Sequence, residues 1–187
     1  MSAGSSAATS STSVASATAR TGEFLVRQVL MTDPLVAPML AELHSEYTSR
    51  YGRVRELDRY PAEEFAPPHG AWLLFMAGDE AVAGGAFRRY DGETAELKRI
   101  WTHSAHRKRG LGRRVVAELE ILAAVRGYRR IYLTTGPRQP EARGLYLAAG
   151  YQPLFDLAAD PETIGPLPFE KLLPAHGVPA PAPSPEF

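Results

Sequence analysis

"HRKRGLGRRVV", residues 106–116, packs five lysines and arginines and two glycines into a short span. Such a run is read either as a basic tail that grips nucleic acid or as a phosphate cradle at the head of a helix. Its flanks separate the two. Downstream, Leu111, Val115, Leu119, Leu122 and Val125 recur at helical spacing, and Gly127 follows as a stop. Upstream, "ETAELKRIWTH" (93–103) has the composition of a strand. The run therefore sits in a strand-to-helix turn. There the first free N–H groups of the helix carry partial positive charge and form an anion site. Glycines at 110 and 112 let a ligand reach the backbone with no Cβ in the way.

Further out, the periodicities alternate in an orderly way. "EFLVRQV" (23–29) reads as a strand. "DPLVAPMLAELHSEYTSRY" (33–51) reads as a helix capped by Asp33, with Pro34 at its first position and Leu35, Met39, Leu43 and Tyr47 on one face. "YPAEEF" (60–65) suggests a short second helix. "AWLLFMA" (71–77) and "AVAGGAFRRY" (81–90) form a hairpin around "GDE", and "DG" (91–92) turns into the strand at 93–103. After the strong helix come a strand at 129–135, a helix at 140–150 and strands over 151–157 and 166–173. The order β-α-α-β-β-β-α-β-α-β-β predicts one α/β domain. Its sheet is mixed and twisted, with about seven strands flanked by about four helices, because a strand-helix-strand crossover needs parallel neighbours.

Composition sets the limits. The chain has 187 residues, with 44% hydrophobic and 22% charged, which suits one globular domain. Lys plus Arg and Asp plus Glu are 21 each, so the basic run is local; a dedicated nucleic-acid binder carries a clear basic excess. Cysteine is absent, which excludes disulfides, thiolate metal sites and a cysteine acyl-enzyme. His44, His69, His103, His106 and His176 have no carboxylate at a familiar metal spacing, so no metal is expected. Residues 1–22 are nearly all Ser, Ala, Thr and Gly and predict a disordered extension. That segment lacks the apolar stretch of a secretory signal, and no run is long enough to span a membrane, so a cytoplasmic protein is expected. A Pro-rich tail from 174 to 187 closes the chain, leaving 23–173 as the domain.

"ELKRIWTHSAHRKRGLGRRVV" resembles the central motif of the GNAT superfamily of acyl-CoA N-acyltransferases, in which R/Q-x-x-G-x-G/A opens a helix after a strand. Here those positions are Arg107, Gly110 and Gly112. "LTTGPRQPEARGLYLAAGY" is similar to the next motif of the family, with Gln139, Tyr146, Gly150 and Tyr151 at its key positions. The resemblance covers roughly residues 24 to 173. It implies acetyl-CoA as co-substrate, with the pyrophosphate on the backbone from Arg107 through Lys108, Arg109, Gly110 and Leu111 to Gly112, and with Arg113 and Gln139 nearby. It also implies that the pantetheine arm pairs with Ile100, Trp101 and Thr102 as an added strand, beside a bulge.

For catalysis, the resemblance matches Glu96 to a general base and Tyr146 to the tyrosine that serves the leaving sulfur, with His103 and Glu93 in reserve for Glu96. The residues themselves leave Glu96 open as an ion-pair partner of Lys98 or Arg88, and Tyr146 open as a packing residue. Only about one alkyl amine in two thousand is neutral at pH 7, so the nucleophile must shed a proton. Without cysteine, direct transfer in a ternary complex is the natural route. Tyr47, Tyr51, Arg53 and Arg55 could hold an anionic group of the acceptor or form a solvated loop. The expected reaction is N-acetylation of a small, amino-acid-like primary amine. Protein or peptide acetylation and a non-catalytic acyl-CoA-binding module are the alternatives. No nucleic acid or membrane partner is expected, and a homodimer is left open.

Overall fold

The computed structural model describes residues 18–21, 24–52 and 56–174. Its strands are β1 (Thr18–Thr21), β2 (Phe24–Val29), β3 (Ala71–Ala77), β4 (Glu80–Arg89), β5 (Thr94–Thr102), β6 (Arg130–Thr135), β7 (Gln152–Pro153) and β8 (Leu167–Leu172). The helices are α1 (Ala37–Tyr51), α2 (Leu111–Val125), α3 (Pro140–Ala148) and α4 (Pro161–Ile164). The strands form one sheet in the order β1-β2-β3-β4-β5-β6-β8-β7, antiparallel except for the β5–β6 pair. This is the expected mixed α/β sheet, crossed over by α2.

Several details differ from the sequence expectation. Thr18–Thr21, inside the stretch expected to be disordered, pairs antiparallel with β2. A ladder is made by the backbone, so a segment with few apolar side chains can still extend an edge. The element expected over 60–65 is a 3-10 turn, Ala62–Phe65, that buries Phe65. The strand expected over 151–157 shrinks to Gln152–Pro153 before the chain turns away into α4. Val125 is 70% exposed, and Ala123 is buried in its place. Leu111, Val115, Leu119 and Ala123 continue one ridge of every fourth residue, whereas Val125 has rotated off it.

The sheet separates two cores. On one face, β-strand side chains such as Phe75, Phe87 and Phe169 pack with Val115, Leu119 and Tyr146 of α2 and α3. On the other, Met39 and Leu43 of α1 pack with Phe65, Trp72, Leu74 and Trp101. Phe65 meets Trp72 edge to face at 5.6 Å between ring centroids. Burying aromatic side chains of this size stabilises the fold by roughly 1.5–3 kcal/mol apiece.

Candidate functional site

The parallel pairing of β5 with β6 covers only Thr94↔Arg130, Ala95↔Ile131 and Glu96↔Tyr132. Beyond Glu96 the two strands part, while β6 stays zipped to β8 as far as Thr135↔Leu167. The edge of β5 over Ile100, Trp101 and Thr102 therefore has no strand partner on that side.

A bulge marks the place. In the β4–β5 ladder Gly84 faces Trp101 and Ala86 faces Lys98, so Arg99 and Ile100 together oppose Gly85 alone. Arg99 adopts φ 58°, which a side chain rarely accepts. Its buried guanidinium is compensated by the Leu57 carbonyl at 2.7 Å and by the Phe65 ring at 4.5 Å. Burial nonetheless holds its pKa below the ordinary arginine value. Ile100 fills the space over Gly85, where an added Cβ would lie 2.6 Å from its Cδ1.

The splayed strands hold two cavities. The first, about 590 Å³, is lined by Ile100, Trp101 and Thr102 of β5, by the turn residues Arg107, Lys108 and Gly110, by Leu111, Gly112 and Arg113 of α2, and by Gln139, Ala142 and Leu145. Gly110 caps α2 at φ 76° and Lys108 stands at φ 62°, so the turn winds its amides toward the helix start. The first-turn amides of α2 have no acceptor within the helix. Arg107 pairs with Glu46 at 2.8 Å and donates to the Thr102 carbonyl at 3.3 Å. Two of the basic residues turn elsewhere. Arg109 lies 3.1 Å from His106 Nδ1, and Arg114 stacks over Phe24 at 5.1 Å.

The second cavity, about 600 Å³, lies on the α1 side of β5 and meets the first at Ile100, Gln139 and Ala142. Six of the chain's 8 tyrosines line it: Tyr47, Tyr51, Tyr60, Tyr90, Tyr132 and Tyr146. Tyr146 is buried against Tyr151 and Phe169, and burial raises its pKa above the ordinary phenol value. Tyr47 is pushed up to about 12, first by burial and then by Glu56 and Glu46. Glu96 is buried with both oxygens taken, Oε2 by Arg88 Nε at 2.7 Å and Oε1 by Lys98 Nζ at 3.0 Å. Lys98 also binds Glu56 at 2.7 Å; burial alone would lower its pKa, but the two carboxylates outweigh it and raise it. Arg88 reaches Glu64 at 2.7 Å and covers the Tyr60 ring at 4.0 Å.

Of the residues singled out in the sequence, Glu96, Tyr146, Tyr47 and Tyr51 come together in this second cavity. Arg53 and Arg55 lie outside the described residues. His103 and Glu93 are not among its lining residues: His103 faces Glu42 at 3.5 Å and Glu80 at 3.9 Å, and Glu93 faces Arg129. Glu80, His103 and His106 stand close enough to suggest a metal site. However, His103 Nδ1 accepts the Ala105 amide at 3.2 Å, so in the neutral ring the proton sits on Nε2, the atom nearest Glu80. Sequence reasoning missed Tyr60, Tyr90 and Tyr132. The glycine pair of "AVAGGAF" lies opposite the bulge that the resemblance implied.

Comparison with known proteins agrees with this geometry. The model of the acetyltransferase (GNAT) family matches residues 37–151. A curated relative from Bacillus subtilis (strain 168), named "Uncharacterized N-acetyltransferase YsnE", is 33% identical over 107 residues, which are 54% of this chain and 71% of that protein. A GNAT-family acetyltransferase from Staphylococcus aureus MU50 shares the fold at TM-score 0.65 and 14% identity, over 80% of this chain and 99% of that one. Another from Elizabethkingia anophelis, solved with acetyl-CoA bound, superposes at TM-score 0.60 and 14% identity, over 82% of this chain and 100% of that one. The motif match, the parted strands and the glycine turn at the head of α2 lead to one assignment: this chain belongs to the GNAT family of acetyltransferases.

Proposed function

We propose that the chain moves the acetyl group of acetyl-CoA directly to the primary amine of a small, amino-acid-like acceptor. The observation that carries this reading is the junction of the two cavities at Ile100, Gln139 and Ala142. One cavity offers what a pyrophosphate and an extended arm require: the first-turn amides of α2, the cations Arg107, Lys108 and Arg113, and the unpaired edge of β5. The other offers phenols, carboxylates and cations within a volume suited to a small molecule. Bound acetyl-CoA would supply the activated acyl carbon at the junction.

Tyr146 serves the leaving sulfur. Between a thiol near ~8.5 and a phenol near ~10, full proton transfer is already uphill by roughly 2 kcal/mol. Burial of Tyr146 widens that gap. Tyr146 therefore keeps its proton and donates a hydrogen bond to the developing thiolate.

Glu96 takes a different role from the general base that the resemblance implied. Accepting a proton from the substrate ammonium would weaken the pairs that Glu96 makes with Arg88 and Lys98. We assign Glu96 to holding these two cations in the cavity wall, with the acceptor entering as the small neutral fraction of amine present in solution.

The test is thiol release from acetyl-CoA against amino acids, polyamines, aminoglycosides and short peptides. Release with amino-acid-like amines is the expected result. Silence across the panel, from protein that acetyl-CoA still stabilises against heat, would replace this reading with non-catalytic acyl-CoA binding.

A further inference from the structure

The end of α1 is tied to the β6–α3 connection by contacts in both directions. Tyr51 Oη accepts the Arg138 amide at 3.2 Å. Arg50 donates to the Arg138 carbonyl and to the Glu141 carboxylate, and Arg138 Nη1 donates back to the Arg50 carbonyl at 2.9 Å. Arg138 also forks onto Glu162 of α4 at 2.8 and 3.2 Å. The fit beneath is tight: a Cβ on Gly136 would lie 2.0 Å from Tyr51 Oη, so only glycine passes there.

These ties follow the line where the two cavities meet. Arg50 and Glu141 line the cofactor side, Tyr51 and Gly136 the acceptor side, and Gln139 between them lines both. Arg59 and Tyr90, which also line the acceptor cavity, are 66% (side chain) and 54% exposed, so its mouth lies on their side.

We propose that the Arg50–Arg138 bridge roofs the point of acyl transfer and restricts the acceptor to free small amines. The inference rests on the N-acetyltransferase reading above and decides its acceptor class. A lysine amine within a polypeptide brings chain on both sides of the reacting residue and needs a groove open across the transfer point. The bridge fills that position. A free amine needs only the mouth near Arg59 and Tyr90. Each tie is exposed and individually weak in water. Removing the Arg138 side chain breaks the ties to the Arg50 carbonyl and Glu162, and removing the Arg50 side chain as well breaks those to the Arg138 carbonyl and Glu141.

The experiment compares wild type with Arg138→Ala and with the double variant Arg50→Ala/Arg138→Ala. Arg138 is absent from the lining of both cavities, and its side chain is 55% exposed, so the variant keeps its core. The quantity read is kcat/KM for free amino acids and small amines relative to pentapeptides with a central lysine and a blocked N-terminus, with the acetyl-CoA Kd as a control for folding. Wild type should prefer the free amines by about tenfold or more, Arg138→Ala should shrink that preference at unchanged acetyl-CoA Kd, and the double variant should shrink it several-fold. Equal use of peptides by wild type, or an unchanged ratio in the double variant, overturns the roof. Absence of thiol release with every amine instead overturns the underlying N-acetyltransferase reading, a distinct result.

Discussion

The two cavities that meet at Ile100 are built from different materials. The cofactor side is mostly backbone: helix-start amides, a glycine at positive φ and the bare edge of β5. The acceptor side is mostly side chains, gathered from Tyr47 to Pro166 and held by a chain of ion pairs through Glu56, Lys98, Glu96, Arg88 and Glu64. A backbone site ties a few adjacent residues to one ligand geometry. A side-chain site can be rebuilt one residue at a time without disturbing the fold. On the function proposed above, the binding of the co-substrate and the choice of acceptor are thus separable.

That separation can be broken experimentally, and the largest effect should come from the backbone side. Gly110→Val forces a β-branched residue into the left-handed region, at a cost of roughly 1–2 kcal/mol, and puts a side chain beside the amides. Acetyl-CoA affinity, measured by calorimetry, should fall about tenfold or more. Tight binding by this variant would mean that the turn is not the cradle.

A smaller loss is expected for Tyr146→Phe, which should lower kcat by about tenfold, the value of one hydrogen bond to a developing charge, with acetyl-CoA affinity held. Because burial raises the Tyr146 pKa, its protonated, donating form persists above the ordinary phenol value. The wild-type rate should therefore rise with pH as the amine deprotonates and show no fall through pH ~10. A fall there in wild type that Tyr146→Phe abolishes would show a phenol titrating near its ordinary value.

The finest distinction concerns Glu96→Gln. If Glu96 only anchors Arg88 and Lys98, the acceptor KM should rise a few-fold while the pH profile keeps its shape. Disappearance of an acidic limb would return Glu96 to the role of general base.

The same contrast explains what the sequence discloses. Residues 106–116 announced a glycine turn at the head of a helix because its requirements are local: glycines at fixed spacing and an amphipathic helix behind them. The tyrosine-lined cavity could not be read in this way. Tyr60, Tyr90 and Tyr132 lie on three separate elements, and only the strand order brings them together. Glu96 was visible as a candidate, but its engagement by Arg88 depends on the Arg88↔Glu96 register across β4 and β5. Val125 shows the limit of periodicity: a stripe read from spacing overran the edge of the surface it was meant to cover.

The bulge at Arg99 has one further consequence, for parity. Before it, the odd-numbered Ala95 and Leu97 pack with the α2 side and the even-numbered Glu96 and Lys98 face the acceptor. After it, Ile100 packs with the α2 side and Trp101 with the α1 side, where its indole donates to Glu42 at 2.9 Å. Deleting Arg99 would leave a regular ladder, with Ile100 opposite Gly85 and Trp101 opposite Gly84, each on its present side. What would go is the buried guanidinium and its bond to the Leu57 carbonyl. A deletion anywhere else in β5 would exchange the two sides for all that follows, so the strand can lose a residue only where the extra one sits.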